Sequence, residues 1–189
     1  MEKTLEQHPS SCIKVVLFGP ESTGKTTLSK ALAEYYSTSW VAEYARAYLQ
    51  NKWDQEQKTC ERSDLLPIAI GQMQLENAAV TQANKLVFCD TNLLETKVYS
   101  EVYYQGYCDP HIDLYAKKNC YNLYFLCDID VPWEADDLRD KPGERKKMFL
   151  AFESALDKFD LPYVVLSGSK TVRLKSAVKY INQFLIPKI

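Results

Sequence analysis

Gly19-Pro20-Glu21-Ser22-Thr23-Gly24-Lys25-Thr26 carries the strongest chemical signal in the chain. It fits G-x-x-x-x-G-K-[ST], a pattern whose chemistry is phosphate binding between a strand and a helix. Glycines let the backbone wind until its N–H groups converge on phosphate oxygens. The start of the following helix adds a partial positive charge. In this reading Lys25 reaches the β- and γ-phosphates of ATP, and the Thr26 hydroxyl holds Mg²⁺. Gly19, Glu21, Ser22, Thr23, Gly24 and Thr27 complete the nucleotide loop. A chance match somewhere in a chain this long is on the order of one in a hundred or less.

Other residues gain meaning from that loop. Asp90 ends the apolar run Leu86–Cys89, where a P-loop fold places a magnesium-facing acid. The blander role for Asp90 is an N-cap for the next helix. Glu43, Tyr44 and Arg46 follow a short second strand, on the edge that faces the acceptor in compact kinases. Glu43 is a candidate base or hydroxyl binder, and Arg46 is spaced to pair with it at i, i+3. A plain surface ion pair has the same spacing. Residues 134–147 hold ten charged side chains in fourteen, five of each sign. A solvated helix face would look alike. However, Pro142-Gly143 breaks the segment and Arg139 and Arg145 bracket the break, the layout of a lid at about 132–147 that carries arginines over the phosphates.

Two further patterns carry less. Asn51-Lys52-Trp53-Asp54 spells the N-K-x-D that reads guanine in GTPases, but it follows a helix instead of a late strand. Asp90-Thr91-Asn92-Leu93 also lacks the glycine of a D-x-x-G switch. Seven of thirteen tyrosines lie between Tyr99 and Tyr124. They read first as a half-buried helix face, and alternatively as an aromatic wall for a ring substrate.

The elements that must position these groups can be read from periodicity. Strands are expected at Ile13–Phe18, Trp40–Ala42, Leu86–Cys89, Tyr121–Cys127 and Tyr163–Leu166. Helices are expected from Lys25 to Tyr36, Glu43 to Gln50, Ser63-Asp64 to about Ala83, Leu93 to Gln105 and Met148 to Phe159. A closing helix is capped by Ser169 and carries Leu174, Ala177, Val178, Ile181 and Phe184 on one stripe. Trp53–Glu61 is ambiguous, and Leu138–Lys147 is loop-like. Alternating strands and helices give an α/β, P-loop kinase-type three-layer sandwich, with a mostly parallel sheet of about five strands and helices on both faces. Residues 1–11 are polar and read as a flexible N-terminal tail. Residues 12–189 read as a single domain.

Composition bounds the reading. The chain has 189 residues, 46% hydrophobic and 25% charged, with 23 Lys+Arg against 25 Asp+Glu. These are ordinary globular values and exclude a disordered or collagen-like chain. A net charge of −2 speaks against a general nucleic-acid binder. Six cysteines lack C-x-x-C spacing and stand apart from His8 and His111, which speaks against structural zinc. Cys89 and Cys127 sit in apolar runs and read as small hydrophobes in a reducing, cytoplasmic protein. No apolar run approaches the roughly 18 residues of a membrane span.

The loop at 19–26, Ala42-Glu43-Tyr44-Ala45-Arg46, Asp90-Thr91-Asn92, Thr96-Lys97-Val98-Tyr99-Ser100-Glu101 and Val131-Pro132-Trp133-Glu134-Ala135-Asp136-Asp137-Leu138-Arg139-Asp140 occur in that order. Together they resemble the ribosylnicotinamide kinase domain of the NadR family, from about residue 13 to 185. The first motif is common to all P-loop proteins; the Trp-x-x-Asp-x-Leu-Arg and Glu-Tyr-x-Arg segments are more specific. Two positions depart from the family pattern: Asn92 stands for a usual Asp, and Asp137 for a frequent Gly. The resemblance implies phosphorylation of nicotinamide riboside to the mononucleotide with ATP and Mg²⁺, in NAD salvage. Read with the motifs above, Lys25, Asp90, Glu43, Arg139 and Arg145 are the expected catalytic residues, with either Glu43 or Asp90 taking or orienting the acceptor hydroxyl proton. Glu43, Tyr44, Arg46, Trp133 and Asp136 would meet the acceptor, with Trp40 and the Tyr99–Tyr107 group as further aromatic faces for its pyridinium. The rivals are a kinase of another nucleoside or vitamin alcohol, and a non-catalytic regulator that binds ATP and a nicotinamide ligand. A small-molecule partner is expected, with no nucleic acid and no membrane; self-association is left open.

Overall fold

The computed structural model describes residues 4–139 and 142–185. Among the described residues five strands form: β1 Ile13–Phe18, β2 Ser39–Val41, β3 Leu86–Asp90, β4 Leu123–Cys127 and β5 Tyr163–Leu166. Seven α-helices accompany them: α1 Lys25–Tyr35, α2 Tyr44–Glu56, α3 Arg62–Gln82, α4 Leu93–Tyr103, α5 Pro110–Lys118, α6 Arg145–Lys158 and α7 Lys170–Tyr180. The strand order is β2-β3-β1-β4-β5 and every strand pairing is parallel. The expected three-layer α/β architecture is therefore present.

Period-two alternation divides the strand side chains between two cores. Val16, Phe18, Val87, Cys89, Tyr124 and Leu126 face one side, where α3, α4, α5 and α6 cover them. Val15, Leu17, Leu86, Phe88, Leu123 and Phe125 face the other, under α1 and α7. Strands covered on both faces read as unbroken apolar runs. Phe18 meets Tyr124 and Phe152 edge-on, at centroid distances of 5.4 and 4.8 Å; each such pair is worth about 0.5–1.5 kcal/mol beyond area burial. Register sets Leu17 beside Asp90 and Phe18 beside Leu126. The carboxyl ends of the three central strands thus open at one sheet edge, where α/β folds bind ligands.

Several boundaries differ from the sequence reading. Helix α5 was not expected from apolar spacing. End chemistry makes it: the Asp109 side chain accepts from the His111 N–H, Pro110 opens the helix, and Lys117 and Lys118 close it. Helix α2 runs past Gln50 to Glu56 and ends where Gln57 turns left-handed, at φ 55°. Helix α3 starts at Arg62, set by a reciprocal capping box between Glu61 and Asp64. Helix α6 starts at Arg145 rather than Met148, after a 3₁₀ turn at Pro142–Glu144; Asp140 and Lys141, inside the expected lid, lie outside the described residues.

The largest correction concerns the expected flexible tail. Leu5 is 1% exposed and belongs to the core under α3 and α5. Gln7 Nε2 donates to Glu76, Asn77 Nδ2 to the Glu6 carbonyl and Asn119 Nδ2 to the Leu5 carbonyl, at 2.7, 3.0 and 3.1 Å. One apolar side chain and borrowed side-chain partners fix a stretch whose composition looks solvated. Residues 1–3 of that tail lie outside the described residues.

Candidate active site

The loop between β1 and α1 is built by backbone shape. Gly19 holds φ +129°, and a Cβ there would stand 3.0 Å from the Cys127 carbonyl oxygen, so a side chain is excluded by both torsion and space. Gly24 caps α1 in the left-handed region with no side-chain cap bond. The first N–H groups of α1 therefore face the loop mouth without a capping acceptor. The Thr23 hydroxyl donates to the Pro20 carbonyl at 2.8 Å, and Thr27 is exposed in the first turn of α1.

Lys25 is 7% exposed. Its Nζ donates to the carbonyls of Gly19 (2.6 Å) and Pro20 (3.0 Å) and lies 3.2 Å from Glu95 Oε1. Burial alone would lower its pKa, but Glu95, Glu43 and Asp90 outweigh that and raise it. Thr26 Oγ1 donates to Asp90 Oδ2 at 2.5 Å. Asp90 Oδ1 is buried without a hydrogen-bond partner. Burial, then the nearby Glu43 charge, pushes Asp90 up to about 6, against Lys25 and Thr26. The N-cap of α4 is Asn92, whose side chain accepts from the Glu95 N–H, not Asp90. The Thr26 hydroxyl and the orphaned Asp90 oxygen form an all-oxygen donor set that fits Mg²⁺, a cation usually held by one or two carboxylates plus phosphates. Among the described residues no group of three or more His, Cys, Asp and Glu side chains could hold a metal.

Glu43 stands at the β2–α2 turn, outside the helix proper. Gln72, buried on α3, grips both neighbours: it accepts from the Tyr44 N–H at 2.8 Å and donates to the Ala42 carbonyl at 3.2 Å. The Tyr44 ring lies over Gly71, where an added Cβ would be 2.2 Å from the ring. Gln72 escaped the sequence reading; its only signal is an amide inside the apolar face of α3. The expected pairing of Arg46 with Glu43 is not the bond that forms. Arg46 donates to Asp136 Oδ2 at 2.8 Å, because Glu43 is the N-cap residue and does not share the helical stagger. Arg139 Nε lies 3.1 Å from the same oxygen, and its guanidinium also donates to the Glu134 carbonyl at 2.5 Å. Asp136 therefore joins α2 to the segment after β4, already bonded by two guanidinium groups.

That segment reaches the phosphate loop through Ser22. Ser22 Oγ accepts from the Glu134 N–H at 2.9 Å, and its carbonyl accepts from Arg145 at 3.1 Å. Arg145 also donates to the Val131 carbonyl at 2.9 Å and stands 5.7 Å from the half-buried Trp133 ring. Arg145 is thus at the loop, and Arg139 is one layer further out. A second unforeseen residue is Arg173 on α7, 3% exposed. It donates to the Thr23, Asp128 and Gly168 carbonyls at 2.7, 2.9 and 3.0 Å and to the Asp130 carboxylate. The signal was an arginine spaced i, i+4 with Ala177 on an apolar stripe.

Other candidates are used elsewhere. Trp40 packs on the α1 side with Lys30 Nζ 4.9 Å above its ring. The tyrosines are mostly structural, as the blander reading held: Tyr124 accepts from Asn92, Tyr121 donates to Glu76 and Tyr104 donates to the Cys60 carbonyl. Tyr99 stands out. Burial raises its phenol well above the usual value, and Glu95, Glu21 and Glu43 add to the rise, which sets it beside the acid cluster. Lys52 of the N-K-x-D pattern pairs with Asp64 and Glu61 at 2.6 and 2.8 Å.

Similarity to known proteins agrees with this geometry. The trifunctional NAD biosynthesis/regulator protein NadR of Salmonella typhimurium is 33% identical over 125 residues, 66% of this chain and 30% of the relative, so the chain spans under a third of that protein. A NadR structure in complex with NR superposes with a TM-score of 0.77 at 22% identity, over 94% of this chain and 52% of that one. Deoxyadenosine kinase from M. mycoides superposes at 0.65 and 15% identity, over 91% of this chain and all of that one. At such identities the two structures speak for the fold. A family model described as AAA domain matches residues 14–173, from β1 through Arg173. With phosphate loop, Asp90 and the whole sheet inside that match, the chain belongs to this AAA-domain family of P-loop proteins.

Proposed function

We propose that the chain is an ATP-dependent kinase that phosphorylates nicotinamide riboside to nicotinamide mononucleotide in NAD biosynthesis. The observation that carries the reaction class is the convergence of Lys25, the Thr26–Asp90 pair and Glu43 at one sheet edge, with Arg145 bonded to the loop. The acceptor rests on the relative NadR, 33% identical over its matched stretch. A cytoplasmic setting accords with free cysteines and with no helix among the described residues long and apolar enough to cross a membrane.

In this reading the loop N–H groups and Lys25 hold the triphosphate, and Thr26 and Asp90 would hold Mg²⁺. The metal, when bound, neutralises phosphate charge. Glu43, fixed by Gln72, accepts the proton of the acceptor hydroxyl as its oxygen bonds to the γ-phosphorus and the bond to the bridging oxygen of ADP breaks. Arg145 and Arg139 meet the charge on the transferred phosphoryl group. Tyr44, Tyr99 and Trp133 offer faces to a cationic pyridinium, a contact worth about 2 kcal/mol when desolvated, roughly thirtyfold in affinity.

The test is kcat/KM for nicotinamide riboside against uridine, cytidine, thiamine and the uncharged reduced riboside. Preference for the cationic riboside is expected. Preference for a neutral nucleoside would keep the kinase and replace the substrate.

A further inference from the structure

Glu95 is a buried acid beside Lys25 that the transfer described above does not use. It sits in the first turn of α4, 2% exposed. Oε1 lies 3.2 Å from Lys25 Nζ, and Oε2 is buried with no hydrogen-bond partner. A buried carboxylate with one free oxygen is poorly compensated, so its attraction to the adjacent ammonium is strong. Burial pushes the Glu95 carboxyl up to about 8, Lys25 opposes that, and Glu43 and Asp90 reinforce it, so the counter-ion charge is fully present only above that value.

Lys25 is equally committed. Its ammonium has three donors, and three protein acceptors already surround it: the Gly19 and Pro20 carbonyls and Glu95. Two of these belong to the loop that would cradle the nucleotide. A phosphate oxygen can engage this ammonium only by displacing one of them. A carbonyl is fixed in the loop backbone, whereas the Glu95 contact is the longest of the three and its loss leaves a charge behind.

We propose that Glu95 is a positioning residue for Lys25, an internal counter-ion that parks the ammonium against the loop carbonyls and that the triphosphate of ATP must displace. This rests on the kinase reading above. Glu95 and ATP compete for one cation, so the carboxylate keeps the free loop paired and weakens nucleotide binding. The fold needs a group of this size at position 95; the competition needs its charge.

The experiment titrates the unliganded full chain calorimetrically at about pH 9, where the Glu95 carboxyl is ionised, with a non-hydrolysable ATP analogue and Mg²⁺, without acceptor. Wild type, Glu95→Gln, Glu95→Met and Glu95→Asp are compared, each checked by circular dichroism. The neutral variants are expected to bind about three- to tenfold more tightly, the scale of removing one competing charge contact, and Glu95→Asp to stay within about twofold of wild type. A residue with only a packing role would not tighten binding when replaced. Equal or weaker binding by a folded neutral variant overturns the inference and leaves the kinase reading intact. Failure of both neutral variants to fold overturns it in favour of a structural ion pair. A wild-type chain that binds no ATP analogue overturns the functional reading, and the inference with it.

Discussion

Asp90 stands close enough to Glu43 to feel its charge, yet the surroundings of the two acids differ. Asp90 is bonded to Thr26 and has one orphaned oxygen; Glu43 is flanked by the two bonds of Gln72. This divides their proposed labour. Asp90→Asn should raise the magnesium concentration needed for half-maximal rate as well as lower the rate. Glu43→Gln should leave the magnesium titration unchanged and cut kcat by about 10²–10⁴. A metal defect confined to the Glu43 variant would reverse the roles. The two arginines are also separable. Arg145 bonds the Ser22 carbonyl, whereas Arg139 bonds Asp136. Arg145→Ala should lower kcat more than Arg139→Ala does, by at least about tenfold. Steady-state kinetics on both variants decide it; equal effects would place both arginines at the same distance from the phosphoryl group.

Beyond the Tyr44 ring on Gly71, helices α2 and α3 are joined by a charged knot, and α2 has no fully buried residue. Lys52 links to Asp64, which also accepts from Tyr48 and from the Glu61 N–H. Burial alone would raise the Asp64 pKa, but Lys52 and these donors outweigh it and hold the carboxyl below its usual value. The carboxyl is thus more acidic folded than unfolded. The resulting stabilisation is fully present above the ordinary carboxylate pKa near 4 and is lost as pH falls through the lower folded value. Lys52→Met leaves Asp64 largely buried and unpaired. It should cost about 2–3 kcal/mol at pH 7 by urea unfolding and shrink below pH 3. Nucleotide-base preference should not change; a switch in preference between ATP and GTP would restore the guanine reading of the N-K-x-D motif.

On the scale of the molecule, the N-terminal segment closes the end of the sheet opposite the phosphate loop. Leu5 fills the core beneath α3 and α5, and Glu76 collects Gln7, Tyr121 and Lys14 around one carboxylate. Leu5→Ala should therefore cost about 2–5 kcal/mol in urea unfolding, as for other buried leucines, with ATP affinity unchanged. A cost under about 0.5 kcal/mol, the range of surface substitutions, would return the segment to the status of a tail.

Local chemistry alone determined the phosphate loop, the five strands and most helix spans. Glycine torsions, apolar runs and caps act over a few neighbouring residues, so they are written in consecutive letters. The places of Asp90, at the end of β3, and of Glu43, just after β2, are readable in the same local way. Helix α5 was missed because its apolar face is short and its caps carry the signal. What only the tertiary structure decided are contacts between elements remote in sequence. Gln72 reaches across from α3 to fix the turn around Glu43, Arg173 comes from α7 to the Thr23 carbonyl, and Asp136 takes Arg46 from Glu43. Glu95 looks like an ordinary first-turn acid until the sheet brings α4 beside Lys25. A polar side chain's partner depends on which buried groups lack one after packing. That accounting closes only in three dimensions.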